Sequence, residues 1–395
     1  MTGDGGTLDA GPYTHAALLE AARALAPQIE AASSRFDEDR RLPDSLVSAI
    51  KGAGLYRMLV PRSVGGAELN LREFSEVIEE LARSDGSVAW TVSQNSGICR
   101  MAACLPPQGR REVFGSPDMV VSWGNGPSSA TKVPGGYRVT GRWVTASGIH
   151  HAVYTGAHGA PMVDAQGAPV LEADGSQKRV TLFFPTADIA IEDVWFVSGL
   201  RATGSDTYSV TDLFVPEHRA AFEEPLEPGT LYLFGTTNIF ALGFASVALG
   251  IARGTLDAFR DLAISKSPRG ISGPLSGQQF AQISLAEVEA EWRALRAYLH
   301  GTADECWATV DRTRDFDLET RINLRLATTY VMQRAAGVVD TAYRLAGTTA
   351  IFTDQAFERR FRDMHAVTQH IQARDDHYER VGRYLLGLEP DHAWL

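Results

Sequence analysis

Phe357-Glu-Arg-Arg-Phe-Arg-Asp363-Met-His-Ala-Val-Thr-Gln-His370 is the stretch on which the reading of this 395-residue chain turns. It carries an Arg362-Asp363 pair and then, a short way downstream, a histidine. The residue type at that last position separates two chemistries. A carboxylate there suits proton abstraction beside a carbonyl. An imidazole titrates near neutral pH and can take a proton from an acidic oxygen or hold that oxygen in place.

The stretch sits in the last of four long amphipathic segments, at roughly 236–265, 277–308, 317–346 and 355–386, separated by short breaks. Four such segments predict a helical bundle over residues 229–395. If the last segment is one helix, His365 and His370 are about 500° of rotation apart, and their side chains diverge by about 140°. His377 then returns to nearly the same face as His370, either behind it or exposed.

Upstream, from Met119 to about Phe222, the texture changes to Val, Thr, Gly and Tyr with period-two alternation. Tyr137-Arg-Val-Thr-Gly-Arg-Trp143-Val, Val180-Thr-Leu-Phe-Phe and Tyr208-Ser-Val-Thr-Asp-Leu-Phe-Val215 read as strands, with turns at Pro134-Gly-Gly and Ala173-Asp-Gly-Ser. This predicts a β-domain over residues 118–228, a barrel or small sandwich. Residues 1–117 read as helical. Leu18, Ala22, Leu25 and Ile29 keep a helical period, as do Phe74, Val77, Ile78 and Leu81. The fold class is therefore α+β and mostly α: a helical N-terminal domain, a central β-domain and a C-terminal bundle. The first dozen residues are expected to be mobile.

Composition narrows the function. A net charge of −11 argues against non-specific nucleic-acid binding and against attachment to anionic lipid. Cys99, Cys104 and Cys306 lack metal-ligand spacing and form no disulfide framework, which suits a cytoplasmic protein. The N-terminus lacks the pattern of a signal peptide, and Ile239–Ile251, rich in Gly, Ala and Ser, reads as a buried bundle helix. His150 and His151 have no third partner at metal-site spacing, so no metal is expected. No Gly-x-Gly-x-x-Gly, P-loop or Gly-x-Ser-x-Gly motif occurs, which leaves no site for a pyridine nucleotide and no serine-hydrolase elbow.

The layout resembles the acyl-CoA dehydrogenase fold over nearly the whole chain. Val60-Pro-Arg-Ser-Val-Gly-Gly-Ala-Glu-Leu-Asn-Leu is similar to that family's proline/double-glycine loop. Val77 to Trp90 is similar to the helix pair that follows it. Gly199-Leu-Arg-Ala-Thr-Gly-Ser-Asp-Thr-Tyr-Ser-Val-Thr-Asp-Leu-Phe-Val-Pro216 is similar to its last β-domain segment, and Arg362-Asp363 to its bundle signature. Within the superfamily, Gly141-Arg-Trp143-Val-Thr-Ala-Ser147-Gly148 resembles the branch of two-component flavin-dependent hydroxylases. The Glu-Gly-Thr expected of a dehydrogenase after the signature is missing, and His370 falls where several hydroxylases keep a catalytic histidine.

The resemblance implies an oxygenase component that uses FMNH2 or FADH2 from a separate reductase. Oxygen adds at flavin C4a, and one atom of the resulting hydroperoxide passes to a small aromatic or heteroaromatic substrate. Ser147 is implied near flavin N5, with Trp143, Gly148 and Trp123 beside the ring; Trp123 reads equally as core. Arg269, in Arg269-Gly-Ile-Ser-Gly, is either a flavin-phosphate contact or a solvated loop charge. His370 is the implied base or anchor for the substrate oxygen. Trp90, Asn95 and His150 are implied substrate neighbours, Trp90 reading also as core. A homotetramer is the family's assembly. The rivals are an acyl-CoA dehydrogenase or oxidase with an unusual base, an N- or S-oxygenase on the same scaffold, and a catalytically dead binding subunit.

Overall fold

The computed structural model describes residues 13–395; the expectation of a mobile first dozen residues lies outside them. The N-terminal part is helical: α1 (His15–Ser33), α2 (Phe36–Asp39), α3 (Asp44–Gly52), α4 (Leu71–Ser84), α5 (Gly86–Cys99) and α6 (Pro107–Phe114). Side chains set where these helices start. Asn70 and Glu73 form a reciprocal capping box at the head of α4, and Asp85 accepts the Ser87 and Val88 N–H groups at the head of α5. A cap of this kind stabilises by about 1 kcal/mol.

The chain then forms β1 (Val121–Trp123), β2 (Ser128–Val133), β3 (Gly136–Trp143), β4 (Tyr154–Val163), β5 (Arg179–Pro185), β6 (Ala190–Glu192), β7 (Thr207–Pro216) and β8 (Ala220–Ala221). The strand order is β6-β7-β3-β2-β4-β5-β8, with β1 added parallel to β4. The C-terminal end of β4 pairs with β2 and its N-terminal end with β1, so one strand belongs to both halves of the sheet. Tyr137, Val139 and Trp143 of one half and Leu182 and Phe184 of the other enclose a core belonging to the sheet alone.

The C-terminal part is α7 (Thr236–Ser265), α8 (Gln279–Thr313), α9 (Leu318–Ala346), α10 (Ala356–Thr368) and α11 (Asp376–Leu385). By length and composition α7 could cross a membrane, but 89% of its apolar window is buried inside the protein. A side chain at Gly250 would meet the Glu79 carbonyl at 2.2 Å, so α4 packs directly on the α7 backbone. The α4–α7 contact includes a buried Ser75–Ser246 hydroxyl pair at 2.6 Å. The N-terminal helices and the bundle share one continuous apolar core, and the sheet keeps its own.

The fourth bundle segment is not the single helix expected. It stops at Thr368 and resumes at Asp376, with a short 3-10 turn at Ile371–Ala373 between. His370 is the cap of that turn, so the rotation argued from a continuous helix does not apply to it. His377 is buried behind the turn and donates from Nε2 to the Ile371 carbonyl at 2.9 Å. The Arg362-Asp363 signature fastens the parts together. Arg362 binds Asp37 at 2.6 Å and the Ser198 carbonyl at 2.5 Å, and Asp363 accepts the Leu200 N–H at 2.6 Å.

Candidate active site

Ser147 lies just past β3, where the chain turns into a short 3-10 segment at Ile149–His151. Gly148 makes that turn at φ +74, a left-handed conformation that favours glycine. A Cβ there would also sit 2.9 Å from the Thr91 methyl of α5, so the strain and the close approach both call for glycine.

Four hydrogen bonds connect this turn to its neighbours. Trp90 Nε1 donates to Ser147 Oγ at 3.2 Å, Ser147 and Ser205 hydroxyls meet at 2.7 Å, Ser205 and Thr203 hydroxyls at 2.7 Å, and Thr203 Oγ1 donates to the Leu200 carbonyl at 2.8 Å. Each hydroxyl has one proton. Thr203 spends its proton on Leu200, so Ser205 donates to Thr203 and Ser147 donates to Ser205. Ser147 Oγ, already accepting from Trp90, is left with one lone pair for a ligand. Ser122 Oγ adds a 2.9 Å bond to the Ser147 carbonyl.

The opposite wall is aromatic. Trp90 of α5 stacks on Phe244 of α7 with centroids 3.9 Å apart and planes 4° apart. The His370 ring stands edge-on to both, 5.2 Å from Trp90 and 4.6 Å from Phe244. Trp90 therefore touches both Ser147 and His370.

The turn that carries His370 is held at successive residues. His377 bonds the Ile371 carbonyl, Thr329 the Gln372 carbonyl at 3.4 Å, and Gln333 the Ala373 carbonyl at 2.7 Å. The Gln372 N–H in turn donates to His370 Nδ1 at 3.3 Å. The Gln372 side-chain oxygen accepts from Arg325 Nη1 at 2.5 Å. Arg325 is fully buried, and its Nε and Nη2 have no partner among the described residues. Burial, and then the Arg325 charge, lower the His370 pKa to about 4. Burial, and then Arg380, lower that of Arg325 to about 9.

The other sequence candidates divide. Trp123 is buried, stacked on His158 at 4.2 Å and edge-on to Phe240 at 6.2 Å; Phe240 stacks at 5.9 Å on Phe244, so Trp123 extends the aromatic wall. Asn95 is buried and ties α5 to β1 through a 2.6 Å bond to the Val121 carbonyl. Trp143 is directly opposite Tyr208 in the β3–β7 register and stacks on it at 4.9 Å, inside the sheet. Its ring backs the Ser147 turn and does not join the cluster. His150 binds Asp206 at 2.7 Å, and Asp206 also accepts the Val194 and Trp195 N–H groups; this histidine orders a loop beside the site. Arg269 is exposed between α7 and α8, with no side-chain hydrogen bond or ion pair among the described residues.

The structure adds Thr203, Ser205, Phe244, Gln372 and Arg325. Thr203 and Ser205 flank Gly204 in a segment already singled out by its motif, and two hydroxyls around a left-handed glycine were a readable signal. Phe240 and Phe244, four apart in a helix of small residues, were another. Nothing in the pattern around Arg325 marks it as buried.

Comparison with known proteins places the whole chain in a family. The acyl-CoA dehydrogenase N-terminal domain family matches residues 13–105, and the acyl-CoA dehydrogenase C-terminal domain family matches residues 242–375. The chain is 30% identical to the indole-3-acetate monooxygenase of Pseudomonas putida, with 91% of each chain covered. Its structure is similar to that of the 3-HSA hydroxylase of Rhodococcus sp. RHA1 (TM-score 0.87, 25% identity, 96% of this chain and 99% of that one). It is similar also to the HsaA monooxygenase of M. tuberculosis (TM-score 0.86, 26% identity, 97% of this chain and 100% of that one). The chain belongs to the flavin-dependent monooxygenases built on the acyl-CoA dehydrogenase fold.

Proposed function

We propose that this protein is the oxygenase component of a two-component system, acting on a small aromatic or heteroaromatic molecule between Ser147 and His370. The observation that carries the reading is the cluster itself. Trp90 joins a serine wall to an imidazole, and no carboxylate bonds Ser147, Trp90 or His370 among the described residues. That favours oxygen insertion over the α-proton abstraction of a dehydrogenase.

The donor set fits a reduced flavin. Ser147 Oγ has a lone pair left and no proton to give, which suits an N–H on the ring rather than a bare nitrogen. Trp123, Phe240 and Phe244 give the apolar surface that a flat ring system needs. A reduced flavin held there supplies two electrons to oxygen, so that one oxygen atom enters the substrate and the other leaves as water. The protein's part is to orient and to exclude water: Gly148 and Thr91 close the turn over α5, the aromatic wall keeps the pocket dry, and His370 holds the substrate oxygen. Trp90 and Asn95 shape the pocket from α5, and Arg269 is left for a flavin phosphate.

The reductant comes as FMNH2 or FADH2 from a separate reductase, since the chain carries no pyridine-nucleotide motif. The active form is a homotetramer. Phe280, Ile283 and Tyr298 on α8 and Tyr330 on α9 are exposed large hydrophobics on one bundle, and they suit a contact between copies.

The test is a single turnover. Protein is loaded anaerobically with chemically reduced FMN or FAD, then mixed with labelled oxygen and a panel of phenols and indoles. One labelled oxygen atom in a ring-hydroxylated product is expected. Bleaching of oxidised flavin by an acyl-CoA, with no oxygenated product, would replace this reading with the dehydrogenase one.

A further inference from the structure

An imidazole can accept a proton or hold an oxygen, and the hydrogen bonds of His370 separate the two. Its Nδ1 is the acceptor of the Gln372 N–H. A neutral imidazole has one bare nitrogen and one N–H. With Nδ1 bare and facing the backbone, the proton sits on Nε2. That nitrogen has no partner among the described residues, and His370 is not wholly enclosed, so Nε2 is the atom left for a ligand.

Adding a proton is opposed on two sides. Protonated Nδ1 would point an N–H at the Gln372 N–H and lose that bond. The new charge would also join the Arg325 guanidinium, which is buried and bonded to no carboxylate among the described residues. The other groups packed on the ring, Trp90 from α5 and Phe244 from α7, bring no charge to offset it. The turn cannot easily swing away either, because donors from α9 and α11 hold three successive carbonyls.

We propose that Arg325 and Gln372 are positioning residues that lock His370 as a neutral Nε2–H donor. The pocket then selects a substrate group that presents an acceptor oxygen, such as a carbonyl, a carboxylate or an already ionised phenol. His370 does not act as the base. The proposal deepens the reading of the site given above and rests on His370 facing the substrate.

The test reads the imidazole itself. Full-length protein is labelled with 15N at histidine, and the His370 signals are assigned by their loss in His370→Gln. A neutral Nε2–H tautomer is expected from pH 5.5 to 8, unchanged when 4-nitrophenol is bound. Arg325→Lys, which keeps the charge, should preserve it. Arg325→Met should shift the protonation midpoint up by about one pH unit or more, read by extending the titration of both proteins toward pH 4. An Nδ1–H tautomer in the wild type, or an imidazolium that forms when 4-nitrophenol binds, would overturn the proposal even if Arg325→Met does not fold. The experiment uses neither flavin nor oxygen. A failure to hydroxylate any substrate would therefore count against the proposed function and leave the tautomer result standing.

Discussion

The two walls of the site are built on opposite plans. On the sheet side, every hydroxyl proton from Ser147 to Thr203 is spent inside the protein, and the wall ends in a single lone pair. On the bundle side, every acceptor of the His370 turn is occupied, and the wall ends in a single N–H. One wall is left only to accept and the other only to donate. Trp90 connects them and bonds directly to the accepting side alone. The contrast shows how a protein can give two groups on one tryptophan opposite hydrogen-bonding polarity without bonding either to a carboxylate.

The largest way to break the contrast is His370→Ala, which removes the donor. Single-turnover product formation should fall on the order of 100-fold to 1000-fold, with reduced-flavin binding nearly unchanged; equal loss of both would mean the histidine only supports the fold. Trp90→Ala removes the link, and the cavity left beside Phe244 should cost about 3 kcal/mol in chemical denaturation. Trp90→Phe keeps an aromatic ring but loses the bond to Ser147 and part of the indole volume, so it should cost less, about 1–2 kcal/mol.

Acid probes buried histidines on both sides next. Burial lowers the pKa of His151, His370 and His377 to about 4 each. Unfolded, they bind protons near pH 6.5; folded, they resist until about pH 4. Stability is therefore present above that window and is lost as pH falls through it, by at most about 1.4 kcal/mol per pH unit for each group before solvent screening. Denaturation midpoints between pH 7 and 4 would show the slope, and His377→Gln should reduce it.

Ser147→Ala tests the accepting wall. The loss of one ligand hydrogen bond should weaken reduced-flavin binding about tenfold by equilibrium titration. Its effect on oxidised flavin should be smaller, and an equal effect would contradict the proton order argued for Ser147. The smallest expected effect lies outside the pocket. Burial, and then the facing Asp85, raise the Asp363 pKa. The folded protein thus keeps a proton that the unfolded chain has released, and this group's contribution falls as pH rises from about 4 toward neutral. Asp363→Asn can still accept the Leu200 N–H and should flatten that part of the profile. A large drop in melting temperature at pH 7 would instead mean that an ionised Asp363 holds its arginine neighbours.

Much of this was legible in the chain. Period-two alternation from Tyr137 to Val215 marks the sheet, the long helical periods mark the bundle, and the residues of both walls lie in segments whose motifs stand out. What the pattern missed has physical causes. The break at Gln369–Asp375 has no proline or glycine in it; tertiary hydrogen bonds from Thr329, Gln333 and His377 hold the turn, and a local reading does not see them. Trp143 fits a motif beside the cofactor, but its register opposite Tyr208 turns the ring into the sheet, and register depends on a partner strand more than sixty residues away. Arg325 reads as an exposed helix arginine because burial without a carboxylate is rare enough that composition argues against it.

The apolar core shared by the two helical parts has a consequence for how the chain is made. Ser75 and Ser246 touch across 171 residues of sequence, and the whole sheet lies between them. On a ribosome, α4 emerges with its apolar face uncovered and stays so until α7 follows, some ten seconds or more later at ordinary rates of synthesis. The sheet, with its own core, can fold during that wait; the helices before it cannot complete theirs. Biogenesis should therefore depend on whatever protects α4 and α5 during that interval, and truncations ending between the sheet and α7 should aggregate rather than yield a smaller soluble domain.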